Sequence, residues 1–195
     1  MREYEIFSSK ILYIKNALPN SDNLINELER TNEIIKQSDA ISKWTVWNSS
    51  DGSYIFGNTK KTNSSMIVIS QTAIIDIFRK LHSAMEESFE LYRNTIENNI
   101  GYFSELGISK YFTGASMGSH VDVDPGRDVF KETISGILYL NDNYSGGELN
   151  FQEQSVFIKP SSGSAVLFPS TPPFFHESKR IKSGVKYICT AFGSL

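Results

Sequence analysis

From residue 111 onward the chain consists of short apolar stretches separated by turn signals. Five of them lie between residues 133 and 193, with starts 7 to 22 residues apart: "TISGILYL", "ELNFQEQ", "SVFIKP", "SAVLFPS" and "KYICTAFG". β-branched and aromatic residues dominate these stretches, and clusters of asparagine, serine and glycine at 141–147 and 160–163 punctuate them. Many short strands at this spacing predict a β-sandwich or a barrel.

The part of the chain before residue 111 predicts two helices. "YEIFSSKILYIKNAL" has the pattern of two short strands, and Ser21 or Asp22 is suited to cap a helix over "NLINELERTNEIIKQ". A second and stronger helix is predicted over 71–96, where apolar residues recur at three- and four-residue steps. Helices that precede a β-half favour an α+β fold, in which they pack against one face of the sheets. We expect residues 1–195 to form one domain, with a helical and strand part over about 1–110 and a jelly-roll core over about 111–195.

The segment 44–65 is polar and rich in turn-forming residues, yet it contains four aromatic side chains, Trp44, Trp47, Tyr54 and Phe56. We expect a long loop here, with room for a hairpin. Long loops in compact domains are usually functional or disordered, so this one is expected to be mobile or to fold over the site as a lid. The sequence leaves open whether its aromatic residues fill the core or face a substrate.

Composition and charge narrow the class of partner and the compartment. The net charge is −3 and charged residues make up 21% of the chain, which argues against general nucleic-acid binding. Cys189 is the one cysteine, so a reducing cytoplasm is the expected location. The first residues lack the apolar core of a signal peptide, and no apolar run is long enough to cross a bilayer. We therefore expect a protein without a membrane partner.

Two of the three histidines lie in the β-half, 56 residues apart, and His120 belongs to the triplet His120-Val121-Asp122. Residues i and i+2 of a strand point to the same side, so the imidazole and the carboxylate can bind the same metal ion. His176 can join them if the sheet folds back on itself, as in a jelly roll. Two imidazoles and a carboxylate on one side of Fe(II) leave three coordination positions open, as a non-haem oxygenase requires. The alternative is a loop that is merely polar.

The remaining histidine, His82, lies on the second predicted helix without an acid or histidine at ligand spacing, and it is expected to be an ordinary helix residue.

Lys186 opens the last strand on the same face as Ile188 and Phe192. A lysine on an apolar face is buried only if its charge meets an anion. Either the strand end frays and the ammonium is solvated, or Lys186 neutralises a bound carboxylate.

These residues together resemble a known family. "YFTGASMGSHVD", "ISGILYLNDNYSGGELNF" and "FPSTPPFFHESKRIKSGVKYICTAFG" are similar to the core of the 2-oxoglutarate and Fe(II)-dependent dioxygenases of the prolyl 4-hydroxylase type. The resemblance covers 111–192 and implies a double-stranded β-helix, or jelly roll, buttressed by the N-terminal helices. It implies Fe(II), 2-oxoglutarate and O2, with ascorbate as a further cofactor, and hydroxylation of an unactivated C–H bond.

The resemblance also implies the roles of individual residues. The iron ligands are expected to be His120, Asp122 and His176. Lys186 is expected to bind the distal carboxylate of 2-oxoglutarate. Three further side chains are expected to line the same pocket, namely Tyr111, Tyr139 and Thr190, although core packing is the alternative for each. Arg127, in the acid-rich "DVDPGRD" segment, is a candidate substrate contact.

Two departures from the family concern the substrate. Prolyl hydroxylases tend to carry an arginine just before the "YLN" strand and a tryptophan near the position of Phe192, whereas this chain has Lys131, Glu132 and Phe192 there. A protein or peptide substrate is therefore expected only by analogy, and a small molecule stays open. Two rival interpretations are a cupin-like metalloprotein that does not use 2-oxoglutarate, which has no need of Lys186, and a catalytically silent jelly-roll binding module.

Overall fold

The structure is a computed structural model, and it describes residues 3–37, 44–48, 53–56, 65–67, 75–96, 102–103, 106–123 and 132–194. The first part of the chain contains β1 (Tyr4–Phe7), β2 (Ile11–Ile14), α1 (Ser21–Gln37), β3 (Trp44–Asn48), β4 (Ser53–Phe56), β5 (Ser65–Ile67), α2 (Ile75–Ile96) and β6 (Tyr102–Phe103). The second part contains β7 (Gly107–Tyr111), β8 (Met117–His120), β9 (Glu132–Tyr139), β10 (Ser145–Gly146), β11 (Leu149–Phe151), β12 (Val156–Ile158), β13 (Ala165–Pro169), β14 (His176–Ser178), β15 (Ile181–Ser183) and β16 (Lys186–Ser194).

Among the described residues the strands form a large sheet, a small sheet and one separate strand pair. The large sheet runs in the order β1-β2-β13-β9-β16-β7-β5-β3-β4, with β6 beside β16. The small sheet runs β12-β11-β14-β8, and β10 pairs with β15. Strands that are neighbours in a sheet are mostly distant in sequence, so the chain crosses repeatedly between layers, as a jelly roll requires.

Each face of the large sheet covers a different core. On one face α1 and α2 pack through Leu28, Leu81 and Phe89 against strand residues such as Cys189 and Ala191. On the other face side chains of the large sheet meet those of the small sheet, and this second core includes Tyr139 and Ile188 from the one and Leu149 and Phe151 from the other. The alternation along β16 therefore matches the sequence prediction, with successive residues facing opposite cores.

The small sheet is a half-exposed layer whose sequence shows why it forms. In β12 the residues Val156 and Ile158 are buried while Phe157 between them is exposed. This period of two places every second side chain in the core between the sheets. The turn before β13 needs glycine at Gly163, where φ is +73° and a Cβ would lie 2.2 Å from the carbonyl oxygen of Leu18.

Both predicted helices are present. α1 begins at Ser21, the predicted cap, and α2 extends to Ile96 as predicted. No helix of the described segments is long and apolar enough to span a membrane.

The segment 44–65 contains the hairpin for which the predicted loop left room, together with a further strand that was not predicted. β3 and β4 pair as an antiparallel hairpin, and β3 pairs with β5, which continues the large sheet beyond β7. The sequence signal is the alternation in "WTVW" and "SYIF", whose aromatic and β-branched residues favour strands despite the polar turn between them. Residues 49–52 and 57–64 lie outside the described residues, so the expectation of a lid stays a prediction.

Candidate metal centre

His120 and His176 face each other across the small sheet. They are Cα partners in the antiparallel pair β8–β14, and their ring centroids lie 4.3 Å apart. His176 is buried and packs edge-on against Phe168, with 4.6 Å between ring centroids. The prediction that the fold brings two histidines 56 residues apart into contact is confirmed by this register.

Asp122 joins the histidines from a bend rather than from the strand. β8 ends at His120, so the alternation of side chains along an extended strand does not by itself explain the His-x-Asp spacing. The carboxylate Oδ1 lies 3.3 Å from Nε2 of His120, and Oδ2 lies 3.7 Å from Nε2 of His176. The bend is tied down by a hydrogen bond from the amide of Val123 to the carbonyl oxygen of Ser170, at 3.0 Å.

Both imidazoles are oriented by backbone carbonyl groups. Nδ1 of His120 lies 2.8 Å from the carbonyl oxygen of Gly118, and Nδ1 of His176 lies 3.2 Å from that of Phe174. A carbonyl oxygen only accepts, so each Nδ1 carries the proton in the neutral ring and each Nε2 keeps its lone pair. The ring nitrogens that point at Asp122 are therefore the ones available to a metal ion.

The electrostatics of the three groups suit metal binding. Burial disfavours the charged form of Asp122, but the hydrogen bond with His120 and the neighbouring imidazole of His176 outweigh it and lower its pKa. Burial lowers the pKa of His176, whereas for His120 the contact with Asp122 outweighs burial and raises the pKa. Asp122 is thus ionised and His176 neutral at neutral pH.

The donor set fits one metal ion. The three ligand atoms all lie within 4.8 Å of one another, and donors at about 2.0–2.2 Å from a single ion lie within about 4.4 Å of each other, so a small side-chain rotation is enough. Two imidazole nitrogens and one carboxylate oxygen suit a divalent transition metal such as Fe(II) and leave coordination positions open.

The centre opens into a cavity of about 640 Å³ between the two sheets. Besides the three residues of the centre, its lining includes Tyr111, Tyr139, Lys186, Thr190 and Phe192. A cavity of this size and mixed character is typical of a small-molecule site.

Lys186 is buried within this lining, with 2% of its surface exposed. Its ammonium donates to the carbonyl oxygen of Gly147 at 3.1 Å and to the hydroxyl of Ser178. It also lies 4.9 Å from the ring centroid of Tyr111. No carboxylate forms an ion pair with it within the part of the chain that the structure describes. Burial lowers the pKa of Lys186 to about 8, so the charge is retained at neutral pH against a desolvation cost.

The other cavity residues surround this ammonium. Tyr111 is the cross-strand partner of Lys186, and Tyr139 is the partner of Ile188 on the opposite side of β16. Both rings are buried and line the cavity. Thr190 is half-buried on the same face as Lys186 and donates to the carbonyl oxygen of Gly107 at 3.3 Å. A buried cation beside two tyrosine rings fits the carboxylate of an anionic ligand such as 2-oxoglutarate.

Two further residues considered in the sequence are not among those that the structure places at the centre. Arg127 is outside the described residues, and its role stays a prediction. His82 is exposed on α2, where Nδ1 lies 3.8 Å from Oε2 of Glu86, so the expectation that no acid lies at ligand spacing was wrong. The described residues provide no third ligand there.

Sequence reasoning missed the residues that support the centre. Ser178 contacts the ammonium of Lys186, Gly147 supplies a carbonyl oxygen to it, and Ser135 donates to Asp122. The spacing of Ser178, two residues after His176 in the same strand, was an available signal for a shared face. Gly147 has φ of +71°, and a Cβ there would lie 2.4 Å from Cδ1 of Ile181, which explains the glycine in the "SGG" turn.

The fold and this centre together define a jelly roll with a candidate site for one metal ion. Residues 106–193 match the model of the 2OG-Fe(II) oxygenase superfamily. The matched segment is the one over which the sequence resembles the family, so the match supports that resemblance. A PKHD-type hydroxylase of Rippkaea orientalis is 35% identical over 89 residues, which cover 43% of this chain and 39% of that protein. The match thus spans well under half the length of this relative.

Solved structures agree with the whole fold. A prolyl hydroxylase from Trichoplax adhaerens, in complex with a hypoxia inducible factor peptide, superimposes with a TM-score of 0.69 at 17% identity, covering 96% of this chain and 84% of that one. A prolyl 4-hydroxylase from Pseudomonas putida gives 0.65 at 17% identity, with 96% and 93% covered. The collagen prolyl hydroxylase of Paramecium Bursaria Chlorella virus-1, bound to 2OG, gives 0.63 at 18% identity, with 95% and 96% covered. The predicted α+β jelly roll is confirmed.

Proposed function

We propose that this chain is an Fe(II)- and 2-oxoglutarate-dependent dioxygenase that hydroxylates an unactivated C–H bond, in the manner of the prolyl 4-hydroxylases. One observation is the main support for this proposal. The buried ammonium of Lys186 has no carboxylate partner among the described residues, and it lines the same cavity as a cluster of two histidines and an aspartate. Burying a lysine is costly unless an anion meets it, and 2-oxoglutarate carries one carboxylate for the metal and another for the lysine.

The cavity residues have two proposed roles, which are binding the iron and binding the distal carboxylate of 2-oxoglutarate. His120, Asp122 and His176 hold the iron, each imidazole through Nε2 because Nδ1 donates to a carbonyl oxygen. When bound, the iron supplies oxidative decarboxylation of 2-oxoglutarate with O2 to succinate and carbon dioxide, and transfer of the second oxygen atom to a C–H bond.

In the second role Lys186 holds the distal carboxylate, and the hydroxyl groups of Tyr111 and Tyr139 donate further hydrogen bonds to the bound cosubstrate. The apolar walls of the cavity, among them Leu149, Ile188 and Phe192, exclude water from the reacting end.

A peptidyl residue is the proposed substrate, and ascorbate a further cofactor. This part of the proposal is by analogy with the prolyl hydroxylases that share the fold. The rival interpretation of a cupin-like metalloprotein gives no reason for a buried lysine in the cavity. A catalytically silent binding module gives no reason to keep both the metal ligands and this lysine. The proposed unit of function is one domain comprising residues 1–195.

The proposal is tested with Fe(II), 2-oxoglutarate, ascorbate and a library of proline-containing peptides, alongside the same peptides with proline replaced by alanine. The expected result is succinate in proportion to peptides that gain the mass of one oxygen atom. Asp122→Ala should abolish both products, while His82→Ala, which removes the exposed histidine of α2, should retain both. Succinate without any hydroxylated peptide would redirect the search to small-molecule substrates. Absence of succinate from a protein that binds both metal and 2-oxoglutarate would overturn the enzyme proposal.

A further inference from the structure

The three proposed metal ligands are held by two different sheets. His120 and His176 are paired across strands of the small sheet. Asp122 lies beyond β8, and its carboxylate is reached from the large sheet instead, by the hydroxyl of Ser135 in β9. Ser135 in turn contacts the hydroxyl of Ser170, directly after β13, at 2.9 Å between oxygen atoms.

We propose that Ser135 is a positioning residue for the metal ligand Asp122, and that Ser170 orients Ser135. The chain of two hydroxyl groups fixes Oδ2 of the carboxylate and leaves Oδ1 for the ion. This inference rests on the metal site proposed above, and it assigns a function to two serines outside the ligand set.

The direction of the hydrogen bonds follows from the donor inventory. An ionised carboxylate only accepts, so the single hydroxyl proton of Ser135 goes to Oδ2 of Asp122. The hydroxyl of Ser135 can then only accept from Ser170, which must be the donor of that contact. Each serine therefore has a defined orientation, and the chain runs one way, from Ser170 through Ser135 to Asp122.

Burial makes this chain effective. Ser135 is 1% exposed and Ser170 is fully buried, so water does not compete for their hydroxyl groups. The backbone of Ser170 acts on the same ligand, because its carbonyl oxygen accepts the amide of Val123, the residue after Asp122. The large sheet thus fixes both the side chain of Asp122 and the bend that carries it.

The hydrogen bond from Ser135 determines which carboxylate oxygen of Asp122 binds the metal ion. With Oδ2 occupied by the hydroxyl of Ser135, Asp122 binds the ion through Oδ1 alone, and the coordination positions for cosubstrate and dioxygen stay open. Without Ser135 the carboxylate is free to rotate and to place both oxygens on the ion. Partners of this kind typically change metal affinity or activity by about 10- to 100-fold when removed.

The test measures binding of Mn(II) by calorimetry and the absorption spectrum of the Co(II) complex, both without cosubstrate. Four proteins are compared: the parent, Ser135→Ala, Ser135→Thr and Ser164→Ala. Ser164 is a matched control, since it is fully buried beside the same sheet but donates to the carbonyl oxygen of Ser161 at 2.6 Å. Ser170→Ala is measured as well, in case Ser135→Ala does not fold.

The expected result is a dissociation constant raised by about 10- to 100-fold in Ser135→Ala, with an altered Co(II) spectrum that reports a changed ligand set. Ser135→Thr should restore parent values, Ser170→Ala should cause a smaller loss, and Ser164→Ala should match the parent. Equal affinity and an unchanged spectrum in folded Ser135→Ala overturn the positioning role. If only Ser170→Ala folds, equal affinity and an unchanged spectrum in that variant overturn the positioning role. A parent that binds no metal instead overturns the proposed function, so the two failures are distinguishable.

Discussion

The side chain of Asn141 holds the peptide groups on both sides of Lys186. Its Oδ1 accepts the amide of Tyr187 at 2.8 Å, and its Nδ2 donates to the carbonyl oxygen of Val185 at 2.7 Å. Asn141 is itself buried and follows the strand β9 that pairs with β16. The asparagine of the "YLN" motif therefore fixes the backbone from which the side chain of Lys186 extends into the cavity.

Replacing Asn141 with alanine should weaken the binding of 2-oxoglutarate more than the binding of the metal ion. Two hydrogen bonds at about 0.5–1.5 kcal/mol each hold the backbone beside Lys186, so the KM for 2-oxoglutarate should rise by about five- to tenfold. The dissociation constant for Mn(II) should not change. Asn150→Ala is the control, since Asn150 donates to Glu177 in the small sheet. A folded Asn141→Ala protein whose KM for 2-oxoglutarate equals that of the parent contradicts this role.

Replacing Lys186 with methionine should stabilise the protein in the absence of 2-oxoglutarate. Burial lowers the pKa of this lysine from 10.5 to about 8, so at neutral pH the folded state carries an unfavourable charge. Methionine removes that cost while filling similar space. The free energy of unfolding should rise by about 1–3 kcal/mol at pH 7, after allowance for the lost hydrogen bonds to Gly147 and Ser178.

The sign of the pH dependence gives a sharper check on the same variant. Between the pKa values of about 8 in the folded state and 10.5 in the unfolded state, the unfolded chain binds more protons at Lys186. The parent therefore gains stability as pH rises through this window, and the methionine variant lacks that gain. The difference between the two, measured by urea unfolding, should shrink toward pH 10. A difference that stays constant from pH 7 to 10 would show that Lys186 is not held charged against a penalty.

Metal affinity should fall as the pH drops, with one proton competing per ion. The pKa of Asp122 is lowered from 3.8 and that of His176 from 6.5, so both are in their metal-binding forms at pH 6.5. The pKa of His120 is raised above 6.5, so His120 is the ligand that protonates first on acidification. Mn(II) affinity should lose about tenfold per pH unit just below that pKa. A slope of two protons in this range would place His176 in the titration as well.

Much of the β-half could be predicted from the sequence because one face of each strand is buried. In β16 the alternation of Lys186, Ile188 and Thr190 with Tyr187 and Cys189 is visible in the letters alone and matches the two cores. The metal cluster was predictable because histidines are scarce in the chain, and only two of them lie where strands can bring them together.

The supporting residues could not be predicted, because their contacts depend on strand register. Ser135 is 13 residues from Asp122 and 35 from Ser170, and only the pairing of β9 with β13 brings the two serines together. Serine is common, and nothing local distinguishes these two from the serines of the turns. The hairpin of β3 and β4 was expected only as an option within a loop, and its pairing through β5 to the large sheet could not be predicted, because polar residues surround these short strands.

The most direct test of the central claim is binding of 2-oxoglutarate to the protein with and without Mn(II), in the absence of oxygen chemistry. We expect the parent to bind 2-oxoglutarate tightly only when the metal is present. Asp122→Ala should lose this binding by losing the metal, and Lys186→Ala should keep the metal but bind 2-oxoglutarate far more weakly. Lys186→Arg should recover part of the loss, since its guanidinium retains the charge but needs more room. A metal-loaded parent that does not bind 2-oxoglutarate, or a Lys186→Ala variant that binds it as tightly as the parent, would contradict the account.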